Sequence, residues 1–162
     1  MKKLIIVVLT LIIGSTQVVF AQSLAERRAL KEYQESVLPE LQSQINTAAG
    51  FEVPLNIKWE EIAQPGEEEN YSNEAYFTNV YFTPLVNALS SITSDALGKE
   101  ALAAKLKGIN ICYNPETAPS SAYEDGVDFK DGQISLNFKP FSNASDIDAR
   151  AQAIISLLES TL

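Results

Sequence analysis

The chain has 162 residues, with 12 Lys and Arg against 21 Asp and Glu and a net charge of −9. It has no histidine and a single cysteine, Cys112. The first absence removes Ser-His-Asp and Cys-His machinery, histidine metal sites and the usual neutral-pH proton shuttle, and the second rules out an internal disulfide, so the fold must stand on packing.

Lys2 and Lys3 precede an apolar run from Leu4 to Gly14, and Val19-Phe20-Ala21 ends on a small residue. This is the pattern of a cleavable export signal, and the run is too short for a comfortable membrane span. Residues 1–21 are therefore expected to be a signal peptide. Residues 22–162 are expected to form one α+β domain in the periplasm or outside the cell, free of the membrane once the signal is removed. Losing Lys2 and Lys3 takes the net charge from −9 to −11. Such a field disfavours nucleic acid and anionic membranes and suits a cationic partner.

Ser23 and Glu26 form a Ser-x-x-Glu capping box, which predicts a helix start. Leu30, Tyr33, Val37, Leu41, Ile45 and Ala48 then share one stripe, interrupted by Pro39, so a kinked helix or two helices end to end should finish before Gly50. Val53, Leu55, Ile57 and Trp59 alternate with polar residues and predict a strand over 53–59, with Pro54 suited to an edge. Glu60 to Asn73 reads as a polar surface loop. Glu74 to Thr93 predicts a second helix, with Phe77 and Tyr81 inward and Tyr76 and Phe82 pointing elsewhere. Thr83-Pro84 is an alternative start for a fresh helix within it. A third helix follows from Ser94 or Asp95 to Lys107.

The most regular stretch runs from Gly108 to Phe138. Asp131-Gly132 is a two-residue hairpin signal that pairs Lys130 with Gln133, Phe129 with Ile134 and Val127 with Leu136. Ile109, Ile111 and Tyr113 alternate in the same way before it. Ser145 should cap a last helix whose stripe is Ile147, Ala151, Ile154, Ile155, Leu158 and Leu162. The expected fold is α+β: an antiparallel sheet of about four strands, made of a C-terminal three-strand meander and strand 53–59, covered on one face by amphipathic helices.

That architecture leaves the other face of the sheet to polar residues. Asn56, Lys58, Asn110, Cys112, Asn114, Asp128, Ser135, Asn137 and Lys139 all fall on it by parity. Of these, Asn56, Lys58, Asn110, Cys112, Asp128 and Asn137 are the candidate binding residues. The aromatic run Tyr71, Tyr76, Phe77, Tyr81 and Phe82 offers a core cluster or a pocket wall. The long Asn114–Gly126 connection is a second place where function would sit.

Carboxylates are abundant (Glu60, Glu61, Glu67, Glu68, Glu69, Glu124, Asp125, Asp128 and Asp131), and Glu60 or Glu61 with an aspartate from the Glu124–Asp131 region could serve acid–base hydrolysis of glycosides. Asp125, Asp128 and Asp131 do not match a calcium loop, so no metal and no cofactor is expected. Together these readings favour a small, acidic, exported binding domain without catalysis, of inhibitor or accessory type, that takes a protein or a small ligand. A carboxylate-based hydrolase and a self-associating envelope protein are the alternatives.

Overall fold

The computed structural model describes residues 22–162; the expected signal peptide, 1–21, lies outside the described residues. Helix α1 (Leu24–Ser36) begins as its capping box requires. The Glu26 backbone N–H donates to the Ser23 hydroxyl at 3.0 Å, and the Ser23 N–H donates to the Glu26 carboxylate in return. The chain breaks at Val37 and restarts as α2 (Leu38–Ala49), with Pro39 in the first turn, where no donor is needed. Gly50, at φ 84°, closes α2.

Strand β1 is shorter than its apolar alternation suggests and covers only Leu55–Ile57. Pro54 precedes it, and Trp59 already belongs to the short helix α3 (Trp59–Ile62). The segment expected as one helix from Glu74 to Thr93 is composite. A π-helical turn, Thr78–Phe82, runs into α4 (Thr83–Ile92), with Pro84 in its first turn. The wider turn changes the phase, so Val80, Tyr81 and Phe82 are all fully buried. Phe82 is therefore inside the core rather than outside it. Tyr76 is buried as well, and its hydroxyl accepts from the Gln64 backbone N–H at 3.0 Å.

Helix α5 (Ala96–Lys105) is capped by Asp95, whose carboxylate accepts from Gly98 N–H at 2.8 Å. A Cβ at Gly98 would lie 1.8 Å from the Ile92 carbonyl oxygen, so only glycine lets α5 follow so closely on α4. Lys105 does not serve its own helix. Its ammonium donates to the carbonyls of Thr161 and Leu162, each at 2.6 Å, and so closes the end of α6 (Ile147–Thr161). At the start of α6 the N-cap is Asp146, not Ser145. Asp146 makes no capping bond and instead accepts from the Tyr123 hydroxyl at 2.8 Å.

The remaining strands are β2 (Gly108–Cys112), β3 (Val127–Lys130) and β4 (Gln133–Asn137). Asp131 and Gly132 both take positive φ, 55° and 85°, and the β3–β4 hairpin has the predicted register. The sheet, however, is mixed and not antiparallel. Its order is β1-β2-β4-β3, and β2 pairs in parallel with both β1 and β4. The meander expectation fails because β2 has β4, not β3, as its neighbour. Ile134 and Leu136 of β4 are fully buried, whereas Val127 and Phe129 of β3 are only half-buried, so β4 takes the centre and β3 the edge. The long Asn114–Gly126 connection supplies the length for that crossing. Helices pack on the face that carries Ile109, Ile111, Ile134, Leu136 and Phe138, all fully buried in one hydrophobic cluster.

Glu26 ties α1 to the following loop, because its carboxylate also accepts from Gly66 N–H at 2.7 Å. The backbone donors of Gly66 and then Ser23 hold its pKa below the ordinary 4.5. A lowered folded pKa gives stabilisation that is complete above the unfolded value and is lost as pH falls through the folded one. Urea denaturation across a pH series should show a stability gap between wild type and Glu26→Gln that is full at neutral pH and shrinks steadily below pH 4.5.

Candidate functional site

The open face of the sheet is built by register. Asn56, Asn110, Ser135 and Asp128 stand side by side, one from each strand. Asn56 Nδ2 donates to Asn110 Oδ1 at 3.0 Å, and Asn110 Nδ2 reaches Ser135 Oγ at 3.5 Å. Asn56, Lys58 and Asp128 are exposed, while Asn110, Cys112 and Asn137 are half-buried. Asn137 lies one row along, beside Cys112, and its amide serves the Asn114–Gly126 connection. It accepts from Asn114 N–H at 2.8 Å and donates to Thr117 Oγ1 at 3.0 Å. The six candidate residues thus share one surface, and Asn137 is partly spent on holding a loop.

Cys112 is not a reactive thiol by its surroundings. Its Sγ donates to the Leu136 carbonyl at 3.4 Å. Partial burial and then the Glu61 carboxylate push its pKa up, against a smaller opposing effect from Lys58. A thiol held protonated in this way is a poor nucleophile.

The carboxylates considered for hydrolysis lie outside the main cavities. None of the five main cavities among the described residues is lined by Glu60, Glu61 or any carboxylate from Glu124 to Asp131. Glu61 Oε2 faces the Tyr113 N–H at 3.4 Å. Aromatic residues offer no proton chemistry near neutrality either. Burial pushes the Tyr33 and Tyr71 phenols up to about 12, and those of Tyr76 and Tyr81 move in the same direction. No group of three or more His, Cys, Asp or Glu fit to hold a metal occurs among the described residues. No helix of the described residues is long and apolar enough to cross a membrane.

Sequence reasoning missed Arg150. It lies on the apolar stripe of α6, three residues after Ile147 and four before Ile154, and that position was the available signal. The side chain is 1% exposed. Its guanidinium donates to the carbonyls of Asn143 at 2.8 Å and Ser142 at 2.6 Å, and lies 4.4 Å from the centre of the Tyr123 ring. Burial lowers its pKa, and among the described residues no carboxylate forms an ion pair with it.

The loop that Arg150 grips is unusual. Phe141 and Asn143 both have positive φ, 53° and 46°. Asparagine tolerates this region, but phenylalanine pays about 1–2 kcal/mol. Phe141 is nevertheless 45% exposed, with its ring stacked on Tyr76 at 5.5 Å and 21°. Together with Gln64, Pro65, Glu67, Lys139 and Pro140 the two rings line a cavity of about 430 Å³.

No family model, no characterised protein and no solved structure matches this chain.

Two outcomes follow from these contacts. Thiol labelling of Cys112 in the folded protein should run at least about tenfold slower than in urea, given its raised pKa and partial cover. Replacing Arg150 with Met keeps most of the volume but strands two loop carbonyls, and should cost about 2–4 kcal/mol in equilibrium denaturation.

Proposed function

We propose that this protein is an exported, non-catalytic binding module that meets a protein partner with the open face of its sheet. The observation that carries this reading is the row Asn56–Asn110–Ser135–Asp128, which lays donors and acceptors across all four strands on the face opposite the buried apolar side chains. Side-chain amides present both a donor and an acceptor, so such a row suits recognition through hydrogen bonds. Lys58 and Asp128 add one charge of each sign at opposite strands of the same surface. The chain's overall acidity adds longer-range attraction for a cationic partner.

The dispersal of Glu60, Glu61 and the Glu124–Asp131 carboxylates away from the main cavities favours binding over glycoside hydrolysis. Capture of partners from the envelope fraction with the tagged protein is the test. The paired substitution Asn56→Lys and Asn110→Lys should weaken the captured partner's affinity by about tenfold or more, the loss of roughly one net neutral hydrogen bond. A partner that binds wild type and the pair equally, with both proteins folded by circular dichroism, removes the sheet face from consideration.

A further inference from the structure

The cavity beside Phe141 has features that the sheet face does not explain. Glu67 and Lys139 both line it, yet no ion pair joins them; among the described residues the ion pair is Lys31–Glu35. Asn70 Nδ2 donates to Glu67 Oε2 at 2.7 Å, which steadies the carboxylate and leaves Oε1 for another partner. Pro65, Pro140 and the rings of Tyr76 and Phe141 line the same cavity. The Phe141 wall is held in a disfavoured backbone conformation by the buried Arg150, through the two carbonyls that follow it. Backbone strain of this kind gathers at ligand clamps, where the surrounding structure enforces it. A volume of about 430 Å³ falls in the range of small-molecule sites, and the wall mixes apolar side chains with the polar Gln64, Glu67 and Lys139 in comparable measure.

We propose that this cavity binds a small zwitterion with an apolar side group, of the class of free apolar α-amino acids and short dipeptides. The ligand's ammonium faces Glu67, its carboxylate faces Lys139, and its apolar group lies against Phe141 and Pro140. A neutral polyol would leave both charges without a counter-charge, and a purely apolar ligand would bury them unpaired. Separated charges of opposite sign select a molecule that carries both. This assignment does not depend on the sheet face, because none of the six candidate residues there lines the cavity.

The test is an NMR titration of the protein with L-leucine, L-phenylalanine and glycyl-L-leucine, each to about 10 mM, the regime of weak single-site binding. Amide shifts should be confined to Gln64, Gly66, Glu67, Tyr76, Lys139 and Phe141, since Pro65 and Pro140 carry no amide proton. N-acetyl-L-leucine amide, which keeps the side chain but loses both charges, should bind at least about tenfold more weakly. Glu67→Gln and Lys139→Gln should each weaken the zwitterions by a similar factor and leave the neutral amide unaffected. Phe141→Gly relieves the positive φ, so it should stay folded while losing affinity. Asn56→Lys with Asn110→Lys should leave the titration unchanged. Absence of localised shifts, equal binding of the neutral amide, or full affinity in both charge variants would overturn the proposal.

Discussion

The structure depends on one constraint: the central strands β2 and β4 each turn an apolar side into the hydrophobic cluster and a more exposed, polar side away from it. Ile109, Ile111, Ile134, Leu136 and Phe138 are all fully buried on the apolar side. Each such side chain contributes about 1.5–3 kcal/mol relative to exposure. Slipping a strand by one residue would turn its set outward. Over these five positions the loss is comparable with the roughly 5–15 kcal/mol that holds an ordinary domain together. The polar residues of the other side are therefore displayed as a consequence of the core, and their spacing follows from strand pairing. Helix α6 packs on both α4 and β3, and Lys105 closes its last turn from α5.

A second constraint is local and runs against the usual rule that a buried cation needs an anion. Among the described residues no carboxylate pairs with Arg150 directly; two backbone carbonyls and the faces of Tyr123 and Phe138 compensate it, Asp146 adds a favourable charge nearby, and its Nε is left without a partner. Those carbonyls belong to Ser142 and Asn143, which follow Phe141 directly. An arginine can satisfy several acceptors at once because its donors form a rigid fork. Held this way, the loop has no freedom to relax Phe141 to negative φ. Its ring stays at the surface against Tyr76, where an apolar side chain would otherwise turn inward. The deep end of α6 and the shape of a surface cavity are thus one mechanical unit.

Much of this was legible from residue order. The Ser23–Glu26 capping box, the Gly50 stop, the Asp131-Gly132 turn and its register all follow from short-range chemistry that few residues decide. The polar face followed from alternation. What escaped was set at longer range or by competition. Asp146 displaced Ser145 at the start of α6, yet its carboxylate went to Tyr123, a partner far away in sequence. The π-helical turn at Thr78–Phe82 moved Phe82 inward because three consecutive large side chains there found room in the core, which no 3.6-residue template anticipates. Arg150 was readable only as a polar residue on an apolar stripe, and nothing nearby in sequence announced the carbonyls that satisfy it. The cavity at Phe141 joins residues 64–67 to 139–141, and only the fold brings them together.

The change from a meander to a mixed sheet bears on function in a specific way. Which face a side chain occupies is a property of its own strand, so reversing or reordering the neighbours leaves Asn56, Asn110 and Asn137 on the open side. What the order does decide is which side chains touch. In a meander β2 would pair with β3, and Asn110 would not have Ser135 of β4 as its neighbour. In the order β1-β2-β4-β3 it sits between Asn56 and Ser135, and a neutral hydrogen-bonded row forms with Asp128 moved to its far end. The parallel pairing of β2 with β4 is therefore what converts scattered polar residues into a continuous row. On the binding role proposed above, such a row would select by hydrogen-bond pattern more than by charge, since an ill-matched partner leaves donors and acceptors unpaired.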